Sequence, residues 1–121
     1  MKVLFIGDPH LRINKFQMAK DFFDWIHRVI EEHQPNLVVN LGDTFHDHAV
    51  LRSELLEEFR IHVKKVTEKY GKTYIYVLGN HDQYKPKDAK YHALQNFKNI
   101  SDFLVIEETI NLFDMTFVPF L

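Results

Sequence analysis

The chain has 121 residues, no cysteine and a formal net charge of −2 with histidine neutral. Hydrophobic residues make up 45% and charged residues 26%, an ordinary globular composition that can fill one compact core. Together these exclude disulfides, thiolate metal ligands and a cysteine nucleophile, argue against a simple DNA-coating protein, and leave no apolar stretch long enough for a membrane helix.

Lys2–Ile6 is a short run of β-branched, aromatic and other apolar residues and predicts a strand. It leads straight into Gly7-Asp8-Pro9-His10 with no small-residue cleavage site, so it is not read as a signal peptide. From Phe16 to about His33, apolar side chains at Phe16, Ala19, Phe22, Phe23, Ile26, Val29 and Ile30 follow helical spacing, and Pro35 ends the helix. Leu37–Leu41 is a second strand. Leu51, Leu55, Leu56, Phe59, Val63, Val66 and Tyr70 mark a second amphipathic helix closed by Gly71. Thr73–Leu78 is a third strand and Asp88 to about Phe97 a shorter helix. Phe103–Ile106, Thr109–Leu112 and Met115–Val118 are short strand-like runs, with a turn in Asn111–Asp114. His27, His33 and His62 fall in helical patterns and read as surface or boundary residues, and Trp25 as a partly buried one. Strands alternating with helices imply an α/β fold of βαβ units, with a mainly parallel sheet and helices on its faces.

Three polar loops follow the three strong strands: Gly7-Asp8-Pro9-His10, Gly42-Asp43-Thr44-Phe45-His46-Asp47-His48, and Gly79-Asn80-His81-Asp82. Ligands of open α/β sheets bind beyond the carboxyl ends of the strands, where all three loops fall. Their residue types suit metal ions and phosphate. Asp8 and His10 can chelate one ion from a single loop. Asp43 can bridge two ions, which hydrolytic sites hold about 3.5–4 Å apart. Asn80 offers a neutral carbonyl oxygen to the second ion, and His81 can protonate a leaving oxygen or stabilise charge developing on phosphate. Mixed oxygen and imidazole donors favour manganese, iron or zinc over calcium. The plainer reading, polar loop residues capping helices, does not explain why all three loops agree.

The arrangement resembles the calcineurin-like metallophosphoesterase family, whose opening motifs are Asp-x-His, Gly-Asp and Gly-Asn-His-Asp or Gly-Asn-His-Glu. Here they are Asp8-Pro9-His10, Gly42-Asp43 and Gly79-Asn80-His81-Asp82. The resemblance implies a two-metal site with Asp8 and His10 on one ion, Asp43 as the bridge, Asn80 on the other ion and His81 as the catalytic histidine. Gly7-Asp8-Pro9-His10-Leu11 and Gly42-Asp43-Thr44-Phe45-His46 are most similar to the nuclease subunits of SbcCD-type DNA repair complexes, bacterial or phage-encoded. That likeness implies a manganese-dependent nuclease (magnesium, iron or zinc as alternatives) that cleaves DNA phosphodiesters beside a coiled-coil ATPase of SbcC type. It further implies a homodimer and a cytoplasmic location, in the host cytoplasm for a phage gene. It places His46 close to the site, as a second catalytic candidate beside His81. From the residues themselves, Asp82 is read as orienting its loop, and Asp47 and His48 as supporting the site, with a solvated loop as the alternative.

Residues 1–121 are expected to form the N-terminal part of such a domain. The family completes its site with a later histidine and a Gly-His-x-His motif, and no histidine follows His92. The chain also stops at the apolar Val118-Pro119-Phe120-Leu121. A fragment of low activity on its own is therefore the expectation. After the third motif, Tyr84, Lys85, Lys87 and Lys90 mix basic and aromatic side chains and are candidate DNA contacts; a solvated lysine-rich loop is the alternative. Two rival functions remain open: a phosphoprotein phosphatase or small-nucleotide phosphodiesterase of the same chemistry, and a non-catalytic remnant that binds DNA or a protein.

Overall fold

In the computed structural model the described residues are 1–7, 16–42, 44, 53–79, 94, 97 and 99–119. Among them β1 (Val3–Ile6), β2 (Leu37–Asn40), β3 (Thr73–Val77) and β4 (Phe103–Ile106) form a parallel sheet in that spatial order. This is the expected α/β class, and the first three strands stand where their apolar runs placed them. Parallel neighbours need a crossover between them, and crossovers of one hand between adjacent strands deliver their helices to the same face. Helices α1 (Phe16–His33) and α2 (Ser53–Lys64) do share one face.

Alternation along each strand divides the core in two. On the helix side, Ile6, Val38, Tyr74, Tyr76 and Phe103 pack with Phe23, Ile26 and Ile30 of α1 and with Leu55, Phe59 and Val63 of α2. Phe59 is fully buried and ring-packs with Phe23, Tyr74, Tyr76, Phe97 and Phe103. On the other side, Leu37, Val39, Ile75, Val77 and Ile106 meet an antiparallel hairpin, β5 (Ile110–Leu112) and β6 (Met115–Phe117), through Leu112, Met115 and Phe117. The hairpin turn lies at Phe113 (φ 53°) and Asp114 (φ 62°). Positive φ at both central residues is the type I′ geometry whose twist suits a two-residue hairpin.

Element ends have local causes. The Gln34 N–H closes on the Ile30 carbonyl at 2.9 Å with Gln34 at φ 47°, so α1 ends in a left-handed residue just before Pro35. The Lys2 ammonium donates to the His33 carbonyl at 2.8 Å, a cation at the negative end of the helix. The second helix does not run regularly to Tyr70. It widens into a π-helical turn at Lys65–Lys69, where the Tyr70 N–H reaches the Lys65 carbonyl, and Gly71 at φ 67° stops it. Of the shorter helix expected over 88–97, the described positions are Leu94 and Phe97, both buried.

Three sequence expectations are corrected. Trp25 is 52% exposed, not partly buried, and lies beside Phe22. His27 and His62 are not surface residues: they are 5% and 1% exposed and hydrogen-bond each other across the α1–α2 contact at 2.8 Å. Their polar atoms are hidden by aromatic neighbours, the His62 ring stacking on Phe23 with centroids 4.4 Å apart. Burial, with the Lys65 charge nearby, pushes His27 down to about 4; burial, His27 and Lys65 hold His62 well below the ordinary imidazole value.

The folded chain therefore keeps both imidazoles neutral where the unfolded chain protonates them. Their contribution is intact above pH about 6.5, the unfolded value, and is lost as pH falls from there toward the folded values. The urea midpoint should drop through this window, at up to about 1.4 kcal/mol per pH unit for each histidine. Histidine 27 changed to glutamine (His27→Gln) should remove its share of that slope; a flat wild-type profile between pH 6.5 and 4.5 would contradict the buried neutral pair.

Candidate active site

β1, β2 and β3 run in parallel and in register, Ile6 opposite Asn40 and Asn40 opposite Tyr76, so their carboxyl ends finish side by side. The Leu41 N–H donates to the Ile6 carbonyl at 2.8 Å, extending the β1–β2 pairing by a residue. The roots of the three polar loops, Gly7, Gly42 and Gly79, thus share one edge of the sheet.

Gly42 makes the closest approach. It is buried with φ +90°, and a Cβ there would lie 2.3 Å from the Val77 carbonyl oxygen and 2.6 Å from the Gly79 nitrogen. The second loop is seated directly on the backbone of the third, which no larger residue permits. Gly7 plays no such part, since a Cβ there would meet nothing within 4 Å.

Polar side chains lock the same turn from below. Asn40 is 1% exposed and, by strand alternation, lies on the helix side with Tyr74 and Tyr76. Its Oδ1 accepts from the Gly42 N–H at 2.9 Å, an Asx-type turn. Its Nδ2 donates to Thr44 Oγ1 and to the Tyr74 hydroxyl, each at 3.1 Å. The Tyr76 hydroxyl accepts from the Thr44 N–H at 3.1 Å. Burial raises the Tyr74 phenol above its ordinary range, so it stays a neutral hydroxyl.

The chain continues inward, with the Tyr74 hydroxyl 2.9 Å from His62 Nε2 and His62 Nδ1 2.8 Å from His27 Nε2. One arrangement of hydrogens leaves the fewest of these groups unpaired. Asn40 Oδ1 is committed to an N–H, so both amide hydrogens leave through Nδ2. The Tyr74 hydroxyl accepts one of them and gives its own hydrogen to His62 Nε2. His62 then donates from Nδ1 to His27 Nε2, and His27 carries its hydrogen on Nδ1. That atom has no hydrogen-bond partner among the described residues.

Asp8, His10, Asp43, Asn80 and His81 lie outside the described residues, as do His46, Asp47, His48, Asp82, Tyr84, Lys85, Lys87 and Lys90. The structure describes their anchors: Ile6 and Gly7, Gly42 and Thr44, Leu78 and Gly79. Among the described residues no group of three or more His, Cys, Asp or Glu could hold a metal ion, and no helix is long and apolar enough to cross a membrane. The loop donors fit a divalent cation by type: carboxylates, imidazoles and a carboxamide oxygen, with no thiolate. Sequence reasoning missed Asn40, Thr44, Tyr74 and Tyr76 as the turn's supports. The available signals were a polar residue closing a buried strand and two tyrosines on one face of the next.

Comparison with known proteins identifies the family. The family model for calcineurin-like phosphoesterases matches residues 1–118. "Putative phosphoesterase 244L" of Invertebrate iridescent virus 6 is 30% identical over 98% of this chain and 43% of its own length. "Putative phosphoesterase 078R" of Invertebrate iridescent virus 3 is 26% identical over 99% of this chain and 36% of its own length. The chain therefore spans less than half the length of these two relatives.

The Gly42 contact yields a direct test. Gly42→Ala places a Cβ against backbone at a φ that L-residues rarely adopt, and it should destabilise the metal-free chain by about 2–5 kcal/mol in urea denaturation. Gly7→Ala, with open space around it, should cost under about 1 kcal/mol. Equal costs would contradict the seating of the second loop on the third.

Proposed function

Since this chain belongs to the calcineurin-like phosphoesterase family, whose members are metal-dependent phosphoesterases, we propose that it supplies the opening part of a two-metal nuclease site acting on DNA phosphodiesters. The observation that carries the reading is the shared edge: β1, β2 and β3 end in register and Gly42 lies against the backbone at Val77 and Gly79. Asp-x-His, Gly-Asp and Gly-Asn-His-Asp motifs rooted there have the donors for metal and phosphate chemistry. The sequence likeness to SbcCD-type nuclease subunits in Gly7–Leu11 and Gly42–His46 supports DNA as the substrate.

In this reading Asp8 and His10 hold one ion, Asp43 bridges both, and the Asn80 carbonyl oxygen binds the second. Manganese is the proposed metal. Bound divalent ions lower the pKa of a coordinated water and so supply a hydroxide nucleophile near neutral pH. His81 gives a proton to the departing oxygen or a hydrogen bond to the phosphate, and His46 stands beside it. Asp82, Asp47 and His48 orient these groups through hydrogen bonds, a support that metal-site ligands commonly need. Tyr84, Lys85, Lys87 and Lys90 contact the DNA backbone and bases. A coiled-coil ATPase of SbcC type is the proposed partner, with the nuclease subunit as a homodimer.

Two measurements test this. Asp43→Ala should abolish manganese-dependent hydrolysis of a DNA duplex and weaken manganese binding in calorimetry, whereas His81→Ala should slow turnover by about 10²–10⁴-fold with the metal still bound. Hydrolysis retained by Asp43→Ala excludes the bridge, and metal lost in His81→Ala moves that residue from proton donor to ligand. Replacing Lys85, Lys87 and Lys90 together by alanine should weaken duplex binding and shrink its salt slope by up to about 3. An unchanged slope would leave these lysines as a solvated loop.

A further inference from the structure

We propose that Asn40 is a positioning residue for the metal-binding loop: its buried carboxamide, anchored by the Tyr74 hydroxyl, fixes the two residues on either side of Asp43. The inference rests on the reading of Asp43 as a metal ligand. It adds a support that none of the three loop motifs contains.

The geometry is specific. Asn40 holds the residue before Asp43 through the Gly42 N–H at 2.9 Å and the residue after it through Thr44 Oγ1 at 3.1 Å. The Tyr76 hydroxyl takes the Thr44 N–H at 3.1 Å, so both backbone amides flanking Asp43 end on buried side chains of β2 and β3. A carboxamide suits this place because it offers an acceptor on one side and two donors on the other. Aspartate lacks the donors, and leucine or valine, the types that fill the rest of β2, lack both. The Gly42 N–H, which can only donate, determines which way round the carboxamide sits. The Tyr74 hydroxyl, 3.1 Å from Nδ2 and 2.9 Å from His62 Nε2, accepts a hydrogen from the NH₂. A flipped carboxamide would set its oxygen against the Tyr74 oxygen and its NH₂ against the Gly42 N–H. The pair formed by His62 and His27 completes the chain and ties the loop's orientation to the packing of α1 on α2.

Such a residue touches neither metal nor substrate, so activity alone cannot separate its role from general stability. Backbone amide exchange by NMR in the metal-free full chain reads the loop directly, and calorimetry with Mn²⁺ reads its consequence. In wild type the Gly42 and Thr44 amides should be protected. In Asn40→Ala, and in Tyr74→Phe should the first variant fail to fold, exchange at these two amides should rise at least about tenfold while Val38 and Ile75 stay protected. Manganese affinity should fall about 10–100-fold, the range seen when groups supporting metal ligands are removed. Ile30→Ala, a core truncation in α1, serves as the destabilised control and should leave the two amides and the affinity at wild-type values. Unchanged exchange at Gly42 and Thr44, or the same rise in Ile30→Ala, overturns the proposal. So does faster exchange with manganese affinity intact. If wild type and Asp43→Ala bind Mn²⁺ equally, the metal reading falls instead, and amide exchange alone decides whether Asn40 anchors the turn.

Discussion

Gly42 meets the third loop with no side chain between them, and the rest of the carboxyl edge depends on that contact. A Cβ would overlap the Val77 carbonyl oxygen and the Gly79 nitrogen, so the approach of the two backbones is set by hard-sphere repulsion. Parallel pairing alone brings neighbouring strands to roughly 4.8 Å in the hydrogen-bonding direction. Beyond their ends, adjacent loops normally diverge. Here the left-handed turn at Gly42 folds the β2 loop back over β3. The shared edge of the three strand ends is thus a backbone property, established before any metal or substrate contributes.

Beneath the turn, the chain Thr44–Asn40–Tyr74–His62–His27 crosses a core that is otherwise aromatic and aliphatic. Its energetic logic is asymmetric. Each buried hydrogen bond contributes about 1 kcal/mol net, whereas a buried polar group left unpaired costs about 1–3 kcal/mol. A chain of this kind adds little to stability when complete and penalises every arrangement that breaks it, so its effect falls on conformational choice. Replacing the polar residues with apolar ones of similar shape would be tolerable for the core, as such replacements often are. It would also remove what tells the turn which way to face. Nδ1 of His27, which has no hydrogen-bond partner among the described residues, marks where this order meets its limit.

The sheet was legible because its signals are local and repeated. Leu37–Asn40 and Thr73–Val77 are runs that bury both alternating faces or nearly so, Val3–Ile6 is an apolar run with Phe5 exposed, and α1 is periodic enough that its observed limits match the expected ones. The loop residues Asp, His and Asn after the strands carry a signal of type alone, and they lie outside the described residues. The misreadings share one cause. His27 and His62 sit at helical positions that composition assigns to a boundary, and each is buried only because the other lies within hydrogen-bond distance across 35 residues of sequence. Asn40 carries no signal of its own inside the run Leu37–Leu41, because its partners at Gly42, Thr44 and Tyr74 become neighbours only after β2 and β3 pair. The π-helical turn at Lys65–Lys69 left no pattern, since one widened turn shifts the register by a single residue. Pairwise complementarity between distant polar residues carries no periodicity, and periodicity is what a single sequence displays best.

Charge sharpens the proposed chemistry at this edge. The chain as a whole is acidic, with a formal charge of −2, a poor starting point for the DNA contact proposed above. The three loops carry Asp8, Asp43, Asp47 and Asp82, so in the proposed site phosphate would be repelled until metal is bound. Two divalent ions would balance those four charges locally, because a bound cation is the largest charge in its surroundings. Lys85, Lys87 and Lys90 then outweigh Asp88 in the segment that follows the third loop. On this reading the same ions that activate water also decide whether the edge attracts its substrate, and occupancy couples binding to chemistry. Should Asp43 bind both ions as proposed, a turn held at Gly42 and Thr44 would serve both at once, because a carboxylate presented at a fixed place spends less conformational entropy on each ion it binds.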